Sequence, residues 1–283
     1  MTIDYVKLGS RCVVPNLDAN NNILSWIITH EQNTIELSEA DLIAREATII
    51  NCINLGYYLP INFTAIMSSF NNHTAVIKVM SDALMIGESD SFIRINMSMT
   101  GERKIAQILG MSLLTPKVAD LIYANASVKI EPCTQIPDVC MAHTSRMIKH
   151  SNDINVKITS RINSQDLTQI GLNQLGIVAD VGKDWVLSNK IKNETTAANY
   201  GWRTTAKPNP NYPGNGPFSG PDGYMWQPLG TAHNTEHVDY SQVVRLMLRE
   251  IMVDGQLMDF KDVVTSTEYC GLVNYDGILT VTE

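Results

Sequence analysis

The sequence predicts an α+β protein, a mixed or antiparallel sheet with packed helices in one compact domain, and three observations carry that prediction. A chain of 283 residues that is 44% hydrophobic can bury a core without disulfide or metal staples. Its strand-like and helix-like stretches alternate too irregularly for a doubly wound parallel sheet, and no Gly-rich phosphate loop follows any strand. Two helix starts are chemically well marked, at Ser38 with Asp41 and at Thr115 before Pro116. No internal repeat is visible at solenoid or propeller periods.

Taken in order, residues 1 to about 37 are short apolar runs broken by Asn20, Asn21 and Asn22, which read as strands or an arm joined by loops. The domain organisation drawn from this is an N-terminal arm over 1–44 and a core domain over 45–283. After Ser38, residues Leu42, Ile43, Ala47, Ile50 and Ile53 fall near helical spacing until Gly56 and Pro60 stop the helix. The β-branched and apolar runs at 74–80, 83–87 and 92–97 predict an antiparallel meander. Thr115 can cap orphan amides while Pro116 already has a helical φ, so a helix is expected to about Asn125, with Val118, Leu121, Ile122 and Ala126 facing a core. A segment with Cys133, Pro137 and Cys140 then leads to a helix near 143–152, and an amphipathic stretch covers 164–173. Strands are expected at 176–180 and 184–188, with Lys183 and Asp184 in the turn between them. The prolines and glycines of 204–223 predict a long irregular loop. Residues 243–253 then read as a strand, and Asp254-Gly255 is the strongest hairpin signal in the chain.

Composition narrows the function classes. A net charge of -8 with scattered basic residues argues against a protein that grips nucleic-acid phosphates. Five cysteines without CxxC spacing suggest reduced thiols rather than a disulfide framework or zinc ribbon. The first residues lack a signal-peptide pattern and no stretch is apolar enough to span a membrane. The expectation is therefore a chain cytoplasmic at synthesis and not inserted in a membrane, with assembly into a virion or release on lysis left open. No cofactor motif is found; an unknown ligand, a protein partner, a homo-oligomer and a virion assembly all remain open as partners.

The densest reactive cluster is His233, His237, Asp239, Tyr240, Ser241 and Arg245. The H-x3-H-x-D spacing would put both imidazoles on one face of a helix, but without HExxH it is a weak metal pattern. Alternatively, His233 is a general base acting on Ser241 or water, with Asp239 orienting it. The bland reading makes these residues satisfied polar groups at a strand entrance. Tyr200, Gly201, Trp202 and Arg203 precede the long loop and Trp226, Gln227 and Pro228 close it. These aromatics could line a ligand groove or staple the loop's base to the core.

From about Arg45 onward the chain resembles a widespread, functionally unassigned family of bacterial and phage proteins, many with an exported look. The residues that carry the resemblance are Tyr200, Gly201, Trp202; Gln227, Pro228, Leu229; His233; Asp239, Tyr240, Ser241; and Arg245 with Leu246. Leu84 to Gly87, Thr115 to Lys117, and Lys183 with Asp184 also match in order. The resemblance implies a polar site at these positions and assigns it no chemistry. Arg203 and Gln242 stand where the family pattern has histidines, His237 where it usually has another residue, and the long loop replaces a short turn. Glutamine exchanges no proton near neutral pH, so one family histidine has no functional counterpart here.

Two functions follow as expectations. The first is a hydrolase, acting on cell-envelope material, with His233, Ser241, Asp239, Lys183 and Tyr240 in the catalytic site and Tyr200, Trp202, Arg203 and Gln227 holding substrate. In it, Lys183 or Arg203 stabilises developing negative charge. The second is a non-catalytic virion or surface-binding protein on the same scaffold.

Overall fold

The structure is a computed structural model that describes residues 37–88, 91–162, 175–204, 218–220 and 223–280. Helix α1 (Glu39–Asn54) opens on a capping box in which Ser38 and Asp41 satisfy each other's backbone amides, as the sequence predicts. It runs across the boundary drawn at residue 44. The arm expected over 1–36 and the amphipathic stretch at 164–173 lie outside the described residues.

Strands β1 (Phe63–Phe70) and β2 (His73–Met80) form a hairpin whose register closes at Phe70 opposite His73. Its two-residue turn, Asn71-Asn72, has both residues at positive φ, where asparagine is tolerated because its short amide bonds locally. Sequence reasoning missed β1, although an Asn pair between apolar runs is a legible turn signal. Next come β3 (Met85–Glu88) and β4 (Ser91–Arg94), then α2 (Met99–Leu109), capped by Ser98 and closed by Gly110 at φ 65°. Helix α2 was not predicted either. After β5 (Met111–Leu113), Thr115 caps α3 (Pro116–Ala124) as expected, accepting from the Val118 amide.

Strand β6 (Val128–Lys129) precedes α4 (Thr144–Ile162), which is longer than the helix expected there. Strands β7 (Val178–Ala179) and β8 (Lys183–Trp185) follow, then the long pair β9 (Thr196–Thr204) and β11 (Gly223–Asn234), with β10 (Phe218–Gly220) between them. The chain ends in β12 (Leu246–Leu248), β13 (Glu250–Val253), β14 (Gln256–Asp259) and two short helices, α5 (Phe260–Thr265) and α6 (Cys270–Val273). The Asp254-Gly255 turn joins β13 to β14 as predicted, both residues at positive φ.

The architecture is α+β. A six-stranded antiparallel sheet runs β14-β13-β2-β12-β5 with β1 on the other side of β2, and a four-stranded antiparallel sheet runs β10-β11-β9-β8. The core between these sheets and the helices is mostly aliphatic, with Ile77, Ile86, Ile105, Leu113 and Leu246 fully buried alongside Trp185. Among the described residues no helix is long and apolar enough to cross a membrane.

Three expectations need correction. The meander over 74–97 does not form, because β3 and β4 make a separate ribbon while β2 pairs with β1, β12 and β13. The chain leaves β2 at Met80–Ser81, whose carbonyls accept the buried guanidinium of Arg245. Residues 243–253 make two strands instead of one: β12 pairs with β5 and β2, and β13 with β14 and β2. Finally, part of 204–223 is regular, since Phe218–Gly220 pairs with β11; positions 205–217 and 221–222 lie outside the described residues.

Candidate functional site

The four-stranded sheet brings the candidate residues together in backbone register. Lys183 of β8 lies opposite Gly201 of β9, Gly201 opposite Gln227 of β11, and Ala197 opposite His233. Lys183 also bridges Gln242, with its amide donating to the Ser241 carbonyl at 2.7 Å. That approach depends on Gly182, where a Cβ would sit 2.6 Å from a Val243 methyl and 2.8 Å from the Ser241 carbonyl. Lys183 is therefore a strand residue and not the solvated turn residue expected. Its neighbour Asp184 is buried opposite Tyr200.

The side chains divide into two groups at an irregularity in β9, where Gly201 has φ 116° and Trp202 φ 58°. Reversing the chain's alternation at that point sends neighbouring side chains to different surroundings. Trp202 lies under Lys183, whose ammonium is 5.1 Å from the ring centroid. Tyr200 and Arg203 instead meet Asp120 of α3: the Tyr200 hydroxyl donates to it at 3.0 Å, and Arg203 forms an ion pair with it.

The first group is the candidate site. His233, at the end of β11, stacks on His237 with ring centroids 3.9 Å apart and planes 12° from parallel. The pairing arises from a turn after a strand and not from the helix that would favour this spacing. Both rings meet the edge of buried Trp185, at 6.2 and 6.5 Å. The His237 Nε2 is 3.7 Å from Asp239, an ion-pair distance beyond hydrogen-bond reach. Asp239 thus stands beside His237, and the orienting role expected for it toward His233 is not seen.

Ser241 is fully buried and donates its hydroxyl to Asp239, whose same oxygen accepts the Ser241 amide at 2.6 Å. Gln242 closes the turn by accepting the Asp239 amide at 2.8 Å. The Tyr240 hydroxyl accepts the Gln135 amide at 2.7 Å. The Ser241 hydroxyl is thus engaged by Asp239 and the Tyr240 hydroxyl by the Gln135 backbone, bonds that a nucleophilic or catalytic role for either would have to exchange. Among the described residues, no group of three or more His, Cys, Asp or Glu side chains is arranged to hold a metal ion.

Electrostatics separates the roles further. Burial, followed by the His237 and Lys183 charges, lowers His233 to about 4 against the opposing pull of Asp239, so its imidazole is neutral at pH 7 while still half open to solvent. Burial pushes the Asp239 carboxyl up, but His237, the Lys183 charge and the Ser241 hydrogen bonds together hold it well below the usual carboxylate range. Behind this pair, sequence reasoning missed His150 of α4, buried at 1% exposure beside Tyr240 and Trp202 at 5.3 and 5.8 Å. Burial, then the Arg94 charge, lowers it to about 3, and among the described residues its Nε2 has no hydrogen-bond partner. Its signal is a histidine flanking the apolar stripe Met147, Ile154 and Ile158.

The second group is structural. Arg203 pairs with Asp120, lies 3.8 Å from Asp180, and covers the Tyr123 and Tyr200 rings. Its charge is already neutralised, so the expected role in holding substrate or a developing anion does not fit. Tyr200 likewise staples β9 to α3 rather than lining an open groove, and Gln227 donates to the next carbonyl, that of Pro228, at 2.8 Å.

Buried Asp180 gives this group a pH signature. Burial raises its carboxyl from 3.8 to about 7 against the opposing Arg203 charge. A group raised on folding binds its proton more tightly in the native state, so its contribution is complete below 3.8 and lost as pH rises toward about 7. Asp180→Asn should therefore lose less stability than the parent between pH 5 and pH 7, as read by urea titrations at several pH values. Parallel pH curves for the two proteins would refute the assignment.

Comparison with family models, with curated proteins and with solved structures finds no match to this chain.

Proposed function

We propose that the chain is a hydrolase in which His233 activates water. The carrying observation is the stacked, half-open His233–His237 pair beside ionised Asp239, with His233 held in its neutral, proton-accepting form. In the reaction His233 takes a proton from a bound water as the resulting hydroxide adds to the substrate's electrophilic centre. The imidazolium so formed faces the field of Asp239, then returns the proton to the leaving group. Lys183 supplies the positive charge for the developing anion: it has no carboxylate within ion-pair distance among the described residues and rests over Trp202. The residue resemblance makes cell-envelope material the first substrate class to assay.

A base lowered to about 4 is fully deprotonated at neutral pH but intrinsically weak. An anionic group on the substrate, drawn to Lys183, would strengthen it. The test is hydrolysis of purified peptidoglycan and of simple esters across the pH range. The rate at low substrate should rise through about pH 4 and then level off, following the free-enzyme ionisation of His233. A profile governed by a group titrating near pH 9 would assign the base elsewhere.

A second reading is favoured by one observation: the Ser241 hydroxyl is engaged by Asp239 and the Tyr240 hydroxyl by the Gln135 backbone amide. In that reading the scaffold is a non-catalytic virion or surface-binding component. Absence of turnover on every envelope polymer and ester tried, with retained binding to one of them, selects it.

A further inference from the structure

Two buried hydrogen-bond donors of the candidate site stand without an acceptor beside an unpaired cation. The Trp202 indole nitrogen and the Gln242 amide nitrogen belong to side chains 3% and 0% exposed, and neither has a hydrogen-bond partner among the described residues. The Lys183 ammonium, on a half-buried side chain, pairs with no carboxylate among the described residues and stands 5.1 Å from the centre of the Trp202 ring. Buried donors left open are costly to a fold, and native proteins close nearly all of them with their own atoms or with a bound group. Ammonium and indole N–H groups can only donate, and the Gln242 carbonyl oxygen is already taken by the Asp239 amide at 2.8 Å. The group that would satisfy all three is a negatively charged acceptor.

The backbone holds these donors together. Lys183 of β8 bridges Gln242, and bridged residues send their side chains to the same face of a sheet. The irregularity in β9, with Gly201 at φ 116° and Trp202 at φ 58°, sets the indole under the same ammonium. A non-glycine residue held at positive φ is strained, and such strain clusters at ligand sites. The field of Lys183 also reaches His233 and Asp239, so the unpaired charge belongs to the neighbourhood of the stacked imidazoles.

We propose that Lys183, Trp202 and Gln242 form a subsite for a carboxylate group of the ligand. In the hydrolytic reading, on which this use of the subsite rests, it defines the substrate class: a molecule carrying a carboxylate close to the bond that is cut. One ammonium and two neutral N–H donors suit the two oxygens of a single carboxylate. The ammonium has three N–H groups, which leaves a donor for the oxygen that gains charge during reaction. A docked carboxylate is also the anionic group that strengthens His233 as a base. Charge chooses among anions. Asp239 is buried and ionised in the same neighbourhood, so a phosphate group, largely a dianion above neutral pH, meets more repulsion than a carboxylate does.

The test is a titration of the full chain, at constant ionic strength, with N-acetylalanine, with its neutral counterpart N-acetylalaninamide and with inorganic phosphate. The readout is the set of indole N–H resonances in proton–nitrogen correlation spectra, with the Trp202 signal assigned from Trp202→Phe. The expected result is a saturable downfield shift of the Trp202 signal with N-acetylalanine, none with the amide, and weaker binding of phosphate. Lys183→Met keeps the apolar stem over the ring and should weaken N-acetylalanine binding by about tenfold or more, the loss expected for a hydrogen bond to a charged group. Gln242→Glu keeps the oxygen that accepts the Asp239 amide but sets a carboxylate of the chain itself beside Lys183. It should retain the parent's melting temperature and lose N-acetylalanine binding, and it decides the matter if Lys183→Met folds poorly. An unmoved Trp202 signal, an equal response to the amide, tighter binding of phosphate, or undiminished binding in both variants overturns the proposal. Binding of N-acetylalanine by a chain that turns over no substrate keeps the subsite and removes the base role of His233. Turnover with an unmoved Trp202 signal does the reverse.

Discussion

Replacing Arg245 by methionine should cost about 3–5 kcal/mol of folding stability, the range for removing one partner from a buried charged network. The guanidinium is 2% exposed and donates to the carbonyls of Met80, Ser81 and Val178 at 2.9 to 3.1 Å. It ties the exit of β2 to β7 and to the start of β12, three segments far apart in sequence. Its charge also opposes the burial that raises Asp184 to about 6 and Asp180 to about 7. Methionine matches much of the apolar stem but satisfies none of those carbonyls and leaves both acids without that counter-charge. Because a domain's net stability is only about 5–15 kcal/mol, the variant should unfold at clearly lower urea concentration. A midpoint within experimental error of the parent would mean that the carbonyls find other donors and that the network is dispensable.

His233→Gln should lower turnover by about 10²- to 10⁴-fold, the usual contribution of a positioned general base. Glutamine keeps a polar, planar group against His237 but accepts no proton near neutral pH. The ring is half-exposed at a strand end, so its removal should leave the melting temperature almost unchanged. Loss of activity with retained stability is the signature of a chemical role. The comparison with His237→Gln adds resolution, because that ring stands between His233 and Asp239 and acts through them. A smaller fall there, with an altered pH profile, is the result expected of a positioning residue. Full activity in His233→Gln removes the base role and with it the hydrolytic reading.

The parts of the fold legible in the sequence were those with local causes. Ser38, Thr115-Pro116 and Asp254-Gly255 satisfy or pre-set their own backbone neighbours, and each stands where the sequence placed it. The Asn71-Asn72 turn and the Ser98 cap of α2 have equally local causes, and were legible signals that went unread. By contrast, nothing within 243–253 announces the break at Arg249 between β12 and β13. The break is set by the different partner strands on either side of it.

The candidate site divides along the same line. His233, His237, Asp239 and Lys183 were singled out by residue type, and the structure places them in one neighbourhood. Ser241 and Arg203 were singled out on the same ground, but one is consumed by Asp239 and the other by Asp120 and Asp180. A side chain's availability depends on what lies opposite it, and Asp120 is separated from Arg203 by more than eighty positions. His150 was invisible for a related reason: its significance comes from being sealed among Tyr240, Trp202 and the Lys183 charge, all contributed by other segments.

By itself, then, the sequence determined the α+β class, the capped helices, the tight turns and the stretch of chain that holds the reactive side chains. Only the tertiary structure decided which of those side chains keep a free proton site and which are spent on pairing. The physical reason is range: caps and turns are settled by bonds between residues a few positions apart. Desolvation and charge pairing are settled by neighbours that only folding supplies.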